Sequence, residues 1–304
     1  MADPSTTFVR AGRGGALRPA ALATVVVGVS LLVAVQAPVP VAAGTSKGKA
    51  LNYQWGTTQG RGKLRADLRW PTGPGAPRPP FPLVVLVHGG GFVTGDEDTL
   101  TGVAERLTSL GYATMTTEYT LHRPDERTDT AYTERALGDL RAAIDFAVGF
   151  RQMHADLNRV GMLGASSGAV LCLAMATRDP RLKAVVSWSG IAGRSASWGS
   201  VDPPAPVFAA NSVRDQRTPF VGILPVAVAW KSARAPFDLY VTAFKAHGTA
   251  FWTLPDPLHP AEPYQARVRT IEWLDRYVKG VRSEVLTPLP RARIPLPRAV
   301  RRIA

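Results

Sequence analysis

The stretch Val160-Gly161-Met162-Leu163-Gly164-Ala165-Ser166-Ser167-Gly168 decides the fold. An apolar strand is followed at once by a glycine-flanked turn, and an apolar helix is predicted from Gly168 onward. A turn this tight strains the serine backbone, and only glycine-sized neighbours two positions away on each side let the chain pass itself. The pattern therefore lifts the Ser166 hydroxyl above the sheet edge, at a helix N-terminus that favours negative charge. A small-residue turn that occurs by chance is the alternative.

A second glycine-rich segment lies 78 residues before this serine. The run Phe81-Pro82-Leu83-Val84-Val85-Leu86-Val87 is typical of a strand buried on both faces of a parallel sheet, and His88-Gly89-Gly90-Gly91-Phe92 follows it. Consecutive glycines let backbone N–H groups approach a substrate, which predicts an oxyanion hole formed by Gly90, Gly91 and Ser167. A phosphate-binding loop is disfavoured because no Gly-Lys-Ser/Thr follows. We interpret His88 as a brace for the loop.

Strands and helices alternate along the rest of the chain, which predicts an α/β fold. We expect a mostly parallel central sheet with helices on both faces and little or no cap domain. Further strands are predicted at 64–70, 112–118, 159–163, 184–188, 205–210 and 237–244. Helices are predicted at 99–110, 133–154, 168–178, 220–233 and 262–279.

A serine nucleophile needs a histidine that accepts its proton. Only His247 and His259 follow Ser166 in the chain. His247 lies three residues beyond a predicted strand, where a loop brings it over the sheet edge, so we predict His247 as the base. His259, which lies near two prolines, is the reserve candidate.

An acid must orient that histidine, and in this chain order it follows a strand that lies between serine and histidine. The candidates are Asp179, Asp202, Asp215 and Asp238, and Asp215 occupies such a position, after the strand that contains Phe208. Asp238 begins its own strand and Asp202 precedes one. Both are therefore expected at the start of a strand, at the edge of the parallel sheet away from Ser166. We therefore predict Asp215 as the acid, with a surface ion pair to Arg214 or Arg217 as the alternative.

These residues together resemble the α/β-hydrolase superfamily, specifically the esterase/lipase branch with His-Gly-Gly-Gly before Gly-x-Ser-x-Gly. The resemblance covers roughly residues 64–280. It implies a nucleophile at Ser166, an acid at Asp215, a base at His247, and oxyanion donors at Gly90, Gly91 and Ser167. Two features depart from many relatives: Ala165 stands where they have an acidic residue, and no helical extension for a large cap is evident before residue 64. Without a large cap, we expect an open acyl pocket. Phe92, Trp188 and Trp252 are predicted to bind the substrate there. The core is the alternative location for these three residues and for two further candidates, Trp198 and Phe251.

The two ends of the chain differ from its middle in composition. Residues 1–43 are predicted to be a signal peptide, because three arginines precede an apolar run from Ala20 to Ala37 and small residues follow. A retained membrane anchor is the alternative, although 18 residues are marginal for spanning. We expect an N-terminal extension at 44–63, the catalytic domain at 64–280 and a basic tail rich in proline and arginine at 281–304. The protein is therefore expected to be secreted or extracytoplasmic.

The formal charge of +13 comes from 36 basic and 23 acidic residues, and much of the excess lies near the two ends. No central basic stripe with interleaved aromatic residues is present, which disfavours nucleic-acid binding. The interaction that this charge still predicts is a weak association with the anionic cell envelope. The single cysteine, Cys172, excludes an intramolecular disulfide and is expected to pack in the core.

The residues thus predict a serine carboxylesterase that acts on small to medium carboxylic esters without a metal or organic cofactor. A peptidase or amidase of the prolyl-peptidase type is an alternative, disfavoured because no propeller-like repeat precedes the catalytic residues. Another alternative is a non-catalytic binding protein on a hydrolase scaffold. It is disfavoured because such a protein does not need all three residues Ser166, Asp215 and His247.

Overall fold

The structure is a computed structural model that describes residues 47–57, 63–122, 129–193, 198–253 and 265–282. The predicted signal peptide, the reserve base His259 and most of the basic tail lie outside the described residues. No helix among the described residues is both long and apolar enough to cross a membrane.

Eight strands form one sheet in the order β1-β2-β4-β3-β5-β6-β7-β8. Only the pairs β1–β2 and β2–β4 are antiparallel, so the sheet is mostly parallel, as predicted. The strands are β1 Lys47–Thr57, β2 Lys63–Thr72, β3 Phe81–Val87, β4 Ala113–Thr117, β5 Ala155–Ala165, β6 Leu182–Trp188, β7 Val207–Ser212 and β8 Phe237–Thr242.

Helices connect and cover the strands. They are α1 Thr101–Ser109, α2 Asp129–Gly149, α3 Ser167–Met175, α4 Leu224–Ser232, α5 Ala250–Thr253 and α6 Gln265–Leu274. Side chains of α1 and α6 share a core cluster with the central strands, whereas α2 and α3 pack against each other. Apart from these helices, the described connections between the strands contain 3-10 turns at Glu97–Leu100, Arg151–Met153 and Phe220–Ile223 and irregular loops.

Strand β3 shows why the sheet forms. All seven of its residues are buried, since β4 and β5 flank it and helices cover both faces. A strand surrounded in this way has no polar face, which explains its continuous apolar sequence.

The sheet begins earlier than the sequence indicated. Strand β1 lies within the segment expected to be an N-terminal extension, and it pairs with β2 along almost its whole length. Its Trp55 ring lies 6.3 Å from the ring of Phe146 on α2. The central sheet therefore includes residues 47–57.

Several predicted bounds also shift. The helix expected at 133–154 ends at Gly149, and a 3-10 turn leads to His154, whose φ of 49° is left-handed. The strand expected at 205–210 lies two residues later, at Val207–Ser212. At the end of the last helix, a π-helical turn at Asp275–Lys279 is closed by Gly280 with φ 75°.

Register places the ends of the parallel strands at one edge. Val87 pairs with Gly164, Ala165 with Trp188 and Ser212 with Thr242. The loops that follow β3, β5, β6, β7 and β8 therefore emerge side by side, at the edge where open α/β sheets bind ligands.

Candidate active site

Ser166 lies at the sharp turn between β5 and α3. Its φ of 54° and ψ of −118° are strained for a residue with a side chain. The flanking glycines make the turn possible: a Cβ on Gly164 would lie 2.4 Å from the carbonyl oxygen of Gly168, and one on Gly168 would lie 2.3 Å from that of Val87. The chain passes itself here with no room for a methyl group, as the sequence pattern predicts.

The three residues predicted as a triad lie together in a chain of hydrogen bonds. His247 Nε2 is 2.9 Å from Ser166 Oγ, and His247 Nδ1 is 2.7 Å from Asp215 Oδ2. Asp215 follows β7 and His247 follows β8, so two adjacent strands bring them to the serine. This arrangement can transfer a proton from the hydroxyl to the imidazole while the carboxylate holds the other ring nitrogen.

Asp215 is buried and accepts several hydrogen bonds. Its Oδ1 accepts the backbone N–H groups of Arg217 at 2.9 Å and Thr218 at 3.2 Å, while its Oδ2 accepts the Thr218 hydroxyl at 2.7 Å as well as His247. Burial opposes the charge, but these hydrogen bonds outweigh it and lower the pKa of Asp215 below its ordinary value. Asp215 is therefore an ionised carboxylate that can stabilise an imidazolium.

The glycine loop after β3 lies directly against this turn. A Cβ on Gly89 would lie 3.1 Å from Ser166 Cβ. Gly90, Gly91 and Phe92 have φ values of 124°, 64° and 69°, and the N–H groups of Val93 and Thr94 close the turn by donating to the Gly90 carbonyl oxygen at 3.2 Å. The N–H of Ser167 belongs to the first turn of α3, where helical N–H groups have no acceptor within the helix.

A buried pair of aromatic side chains supports the loop. His88 is 1% exposed, its Nδ1 lies 2.7 Å from the carbonyl oxygen of Gly89, and burial lowers its pKa. The ring of Tyr119 stacks on His88 with centroids 4.4 Å apart. The Tyr119 hydroxyl donates to the His88 carbonyl oxygen at 3.2 Å and lies 3.3 Å from Ser167 Oγ. Tyr119 thus links the glycine loop to the start of α3.

Sequence reasoning missed Tyr119, although a signal existed. Tyr119 lies two residues beyond β4, at the same edge of the sheet as the other strand-end loops. A tyrosine at such a position carries a hydroxyl that needs a partner when buried, and this one is 2% exposed.

Two of the aromatic residues predicted for the substrate pocket belong to the core instead. Trp188 is fully buried and its Nε1 donates to Thr270 Oγ1 at 3.1 Å. Trp252 is 7% exposed, and its ring lies 5.7 Å from that of Trp188. The alternation of β6 turns the Trp188 side chain into the α1 and α6 layer, away from the serine. Phe251 is likewise fully buried.

Phe92 and Trp198 remain near the surface. Phe92 is half-buried at the glycine loop, with its ring against that of Tyr132 at 5.6 Å. Trp198 is 43% exposed and packs edge-on against Trp230. Phe92 combines partial exposure with a place in the glycine loop that lies against the Ser166 turn.

The other acidic candidates do not reach the histidine. Asp238 forms an ion pair with Arg269 at 2.7 Å near the start of β8, at the opposite edge of the sheet. Asp179 is paired with Arg181, and Asp202 is exposed. Within the described ranges, no group of three or more histidine, cysteine or acidic residues is arranged to hold a metal ion.

Comparison with known proteins agrees with this architecture. The family model BD-FAE matches residues 71–192, which contain the glycine loop and Ser166. A Methylorubrum extorquens protein named "Putative carboxymethylenebutenolidase" is 27% identical over 219 residues, which are 65% of this chain and 73% of that protein.

Solved structures show the same fold. The carboxylesterase Cest-2923 from Lactobacillus plantarum superposes with a TM-score of 0.61 at 17% identity, covering 77% of this chain and 99% of that one. The α/β hydrolase MGS-M1 from a Medee basin deep-sea metagenome gives a TM-score of 0.60 at 16% identity, with the same two shares covered. The protein therefore has the α/β-hydrolase fold.

Proposed function

We propose that this α/β-hydrolase-fold chain is a serine carboxylesterase whose nucleophile is Ser166. The observation that carries the proposal is the unbroken path from Ser166 Oγ through the His247 ring to Asp215, with contacts of 2.9 Å and 2.7 Å. The curated relative and the esterase of similar fold support the same class of reaction.

In the first half of the reaction, His247 Nε2 takes the proton of Ser166 Oγ while this oxygen attacks the ester carbonyl carbon. Asp215 stabilises the imidazolium, and the N–H groups of Gly90, Gly91 and Ser167 hold the oxyanion. When the tetrahedral intermediate collapses, the imidazolium gives its proton to the leaving alkoxide. The alcohol departs and an ester of Ser166 remains.

In the second half, a water molecule takes the place of the alcohol. His247 removes one proton from the water as its oxygen attacks the acyl carbon, and the same amides hold the second oxyanion. Collapse returns the proton to Ser166 Oγ and releases the carboxylic acid. The balance is one ester and one water to one acid and one alcohol, and no step requires a metal or an organic cofactor.

The open surroundings of the serine favour small to medium esters. The described loops at this edge add no large cap over Ser166, and Phe92 is the nearby aromatic residue available to contact an acyl or alcohol group. The assay panel should contain nitrophenyl esters of increasing acyl length and an unsaturated lactone, because the curated relative is named a butenolidase.

The decisive experiment is labelling with a fluorophosphonate probe followed by peptide mass mapping. We expect the label on Ser166 in the wild-type protein and none in Ser166→Ala. Turnover should be lost in Ser166→Ala and fall by about ten-thousand-fold in Asp215→Asn, the size of effect known for the acid of a comparable triad.

A matched acid provides the control. Asp238→Asn removes a carboxylate of the same type from the opposite edge of the sheet, where a half-exposed ion pair contributes at most about 1 kcal/mol to stability. Its turnover should match that of the wild type. If Ser166→Ala keeps esterase activity, or if Asp238→Asn is as inactive as Asp215→Asn, the assignment is wrong.

We also propose that residues 1–43 direct export and are removed, so that the exported chain begins near Gly44. Mass spectrometry of the N-terminus of exported protein tests this. An intact N-terminus on envelope-bound protein would instead support a membrane anchor.

A further inference from the structure

One side chain beside the catalytic acid has no part in the mechanism above. The Thr218 hydroxyl donates to Asp215 Oδ2 at 2.7 Å, and the same oxygen lies 2.7 Å from His247 Nδ1. Thr218 Oγ1 is also 3.5 Å from that nitrogen. Hydroxyl, carboxylate oxygen and imidazole nitrogen thus form a small triangle, in which Thr218 and Asp215 are each 8% exposed.

The hydroxyl completes a rigid support for the carboxylate. Two backbone N–H groups of the same loop hold Asp215 Oδ1, and Thr218 holds Oδ2 beside the histidine contact. Pro219 follows Thr218, and the residue before a proline is restricted to extended backbone conformations. The threonine backbone is therefore constrained where its side chain must meet the acid.

We propose that Thr218 is a positioning residue of the triad, whose hydroxyl fixes the Asp215 carboxylate and sets how strongly that carboxylate holds the Nδ1 proton of His247. This inference rests on the proposed function for its meaning in catalysis. The Thr218 hydroxyl lies against Asp215 Oδ2 and the Nδ1 side of His247, away from the Nε2 that meets Ser166 Oγ, so it acts through the acid.

Charge sharing gives the physical reason. A carboxylate oxygen that accepts two hydrogen bonds divides its negative charge between them, so each donor weakens the hold on the other. Among the hydrogen bonds that lower the pKa of Asp215, the one from the Thr218 hydroxyl has the largest effect. Without it, the carboxylate would hold the Nδ1 proton of His247 more strongly.

Other charged groups near the acid do not replace this contact. Arg214 and Arg217 on the same loop and Lys245 on the histidine loop are exposed, and none of them hydrogen-bonds through its side chain to Asp215. These three side chains are still present when Thr218 is replaced. A substitution at Thr218 therefore tests the effect of its hydroxyl alone.

The test compares Thr218→Val, which keeps the shape and both backbone N–H groups, with Thr218→Ser, which restores the hydroxyl. We expect Thr218→Val to lower kcat/KM by about tenfold, the size of one hydrogen bond to a charged group, because the lost alignment of the carboxylate outweighs its stronger hold on the Nδ1 proton. Thr218→Ser should stay within about threefold of wild type. The acidic limb of the pH profile should move upward by about half a unit to one unit in Thr218→Val only.

A second measurement does not depend on activity. The Nδ1 proton of His247, observed by NMR and assigned with His247→Gln, should move downfield in Thr218→Val and return in Thr218→Ser, because a stronger hydrogen bond to Asp215 Oδ2 deshields it. If Thr218→Val does not fold, Thr218→Ala takes its place in both measurements.

The outcomes separate the two proposals. A wild-type protein that hydrolyses no ester and takes no probe at Ser166 refutes the proposed function, while the NMR shift of the His247 Nδ1 proton still decides the role of Thr218. An unchanged Nδ1 proton shift in the hydroxyl-free variant overturns the role of Thr218, as does a Thr218→Ser variant that is as impaired as Thr218→Val. In that case Thr218 only fills space.

Discussion

The strained backbone of Ser166 predicts that activity and stability oppose each other at this residue. Its φ of 54° with ψ of −118° lies outside the regions that residues with a Cβ normally occupy. Ser166→Ala removes the hydroxyl and keeps the Cβ, whereas Ser166→Gly removes both. The two variants lose the same contact to His247, so their difference in stability reports the strain less the entropic cost of glycine.

The magnitude follows from two opposing contributions. A strained conformation of this kind costs about 1–3 kcal/mol, which glycine relieves. Glycine gives up about 0.5–1 kcal/mol relative to alanine because its unfolded chain is freer. The net gain for Ser166→Gly over Ser166→Ala is therefore about 1 kcal/mol, which corresponds to about 2–4 °C in Tm for a domain of this size.

Thermal and urea unfolding of the purified variants measure this difference. Ser232, the last residue of α4, is exposed and has ordinary helical geometry, so Ser232→Gly should be less stable than Ser232→Ala. Opposite signs at the two serines are the expected result. A Ser166→Gly variant that is no more stable than Ser166→Ala would refute the claim that the turn stores strain.

Two further predictions concern the fold around the site. Gly168→Ala should destabilise the protein by several kcal/mol, because its Cβ would lie 2.3 Å and 2.4 Å from the backbone oxygens of Val87 and His88. Gly138→Ala in α2 meets open space and should stabilise the protein by about 0.5–1 kcal/mol. Urea unfolding of both variants shows whether the two changes in stability have opposite signs. The folded-state pKa of Asp179 is lowered by its hydrogen bonds to Arg181 despite burial, so its contribution to stability is complete above the unfolded pKa of about 3.9 and is lost as pH falls through the lower folded value. The Tm difference between wild type and Asp179→Asn should accordingly be largest near neutral pH and shrink below about pH 4, and a difference that stays constant down to pH 2 would contradict this assignment.

The central strands and the triad geometry were predictable because their signals are local. A continuous apolar run identifies β3, and glycines around Ser166 identify a turn that nothing larger can make. Parallel strands then bring their ends to one edge, so residues that follow β7 and β8 are candidates for contact with Ser166 even without the exact register.

Strand β1 was missed although its pattern is present. Leu51, Tyr53 and Trp55 alternate with polar residues, as expected of an edge strand that buries one face. The glycines and lysines around them gave the segment a polar average, and average polarity hides a period of two. The alternation would have predicted the strand; its antiparallel pairing with β2 depends on residues far along the chain.

The aromatic residues show where sequence reasoning stops. Trp188 is the last residue of β6, directly before a loop at the sheet edge that carries Ser166. Its position in the sequence is equally compatible with a side chain in the pocket and one in the core. The alternation of side chains along β6 decides between the two: the Trp188 ring points to the face covered by α1 and α6. Only its backbone reaches the site, where the Trp188 carbonyl oxygen accepts the Ser166 N–H at 2.8 Å. Thr218 presents the same problem in reverse. A threonine three residues after an aspartate is an ordinary loop residue until the fold places both beside His247, so side chains that act through a second residue are visible only once the contacts between distant loops are known.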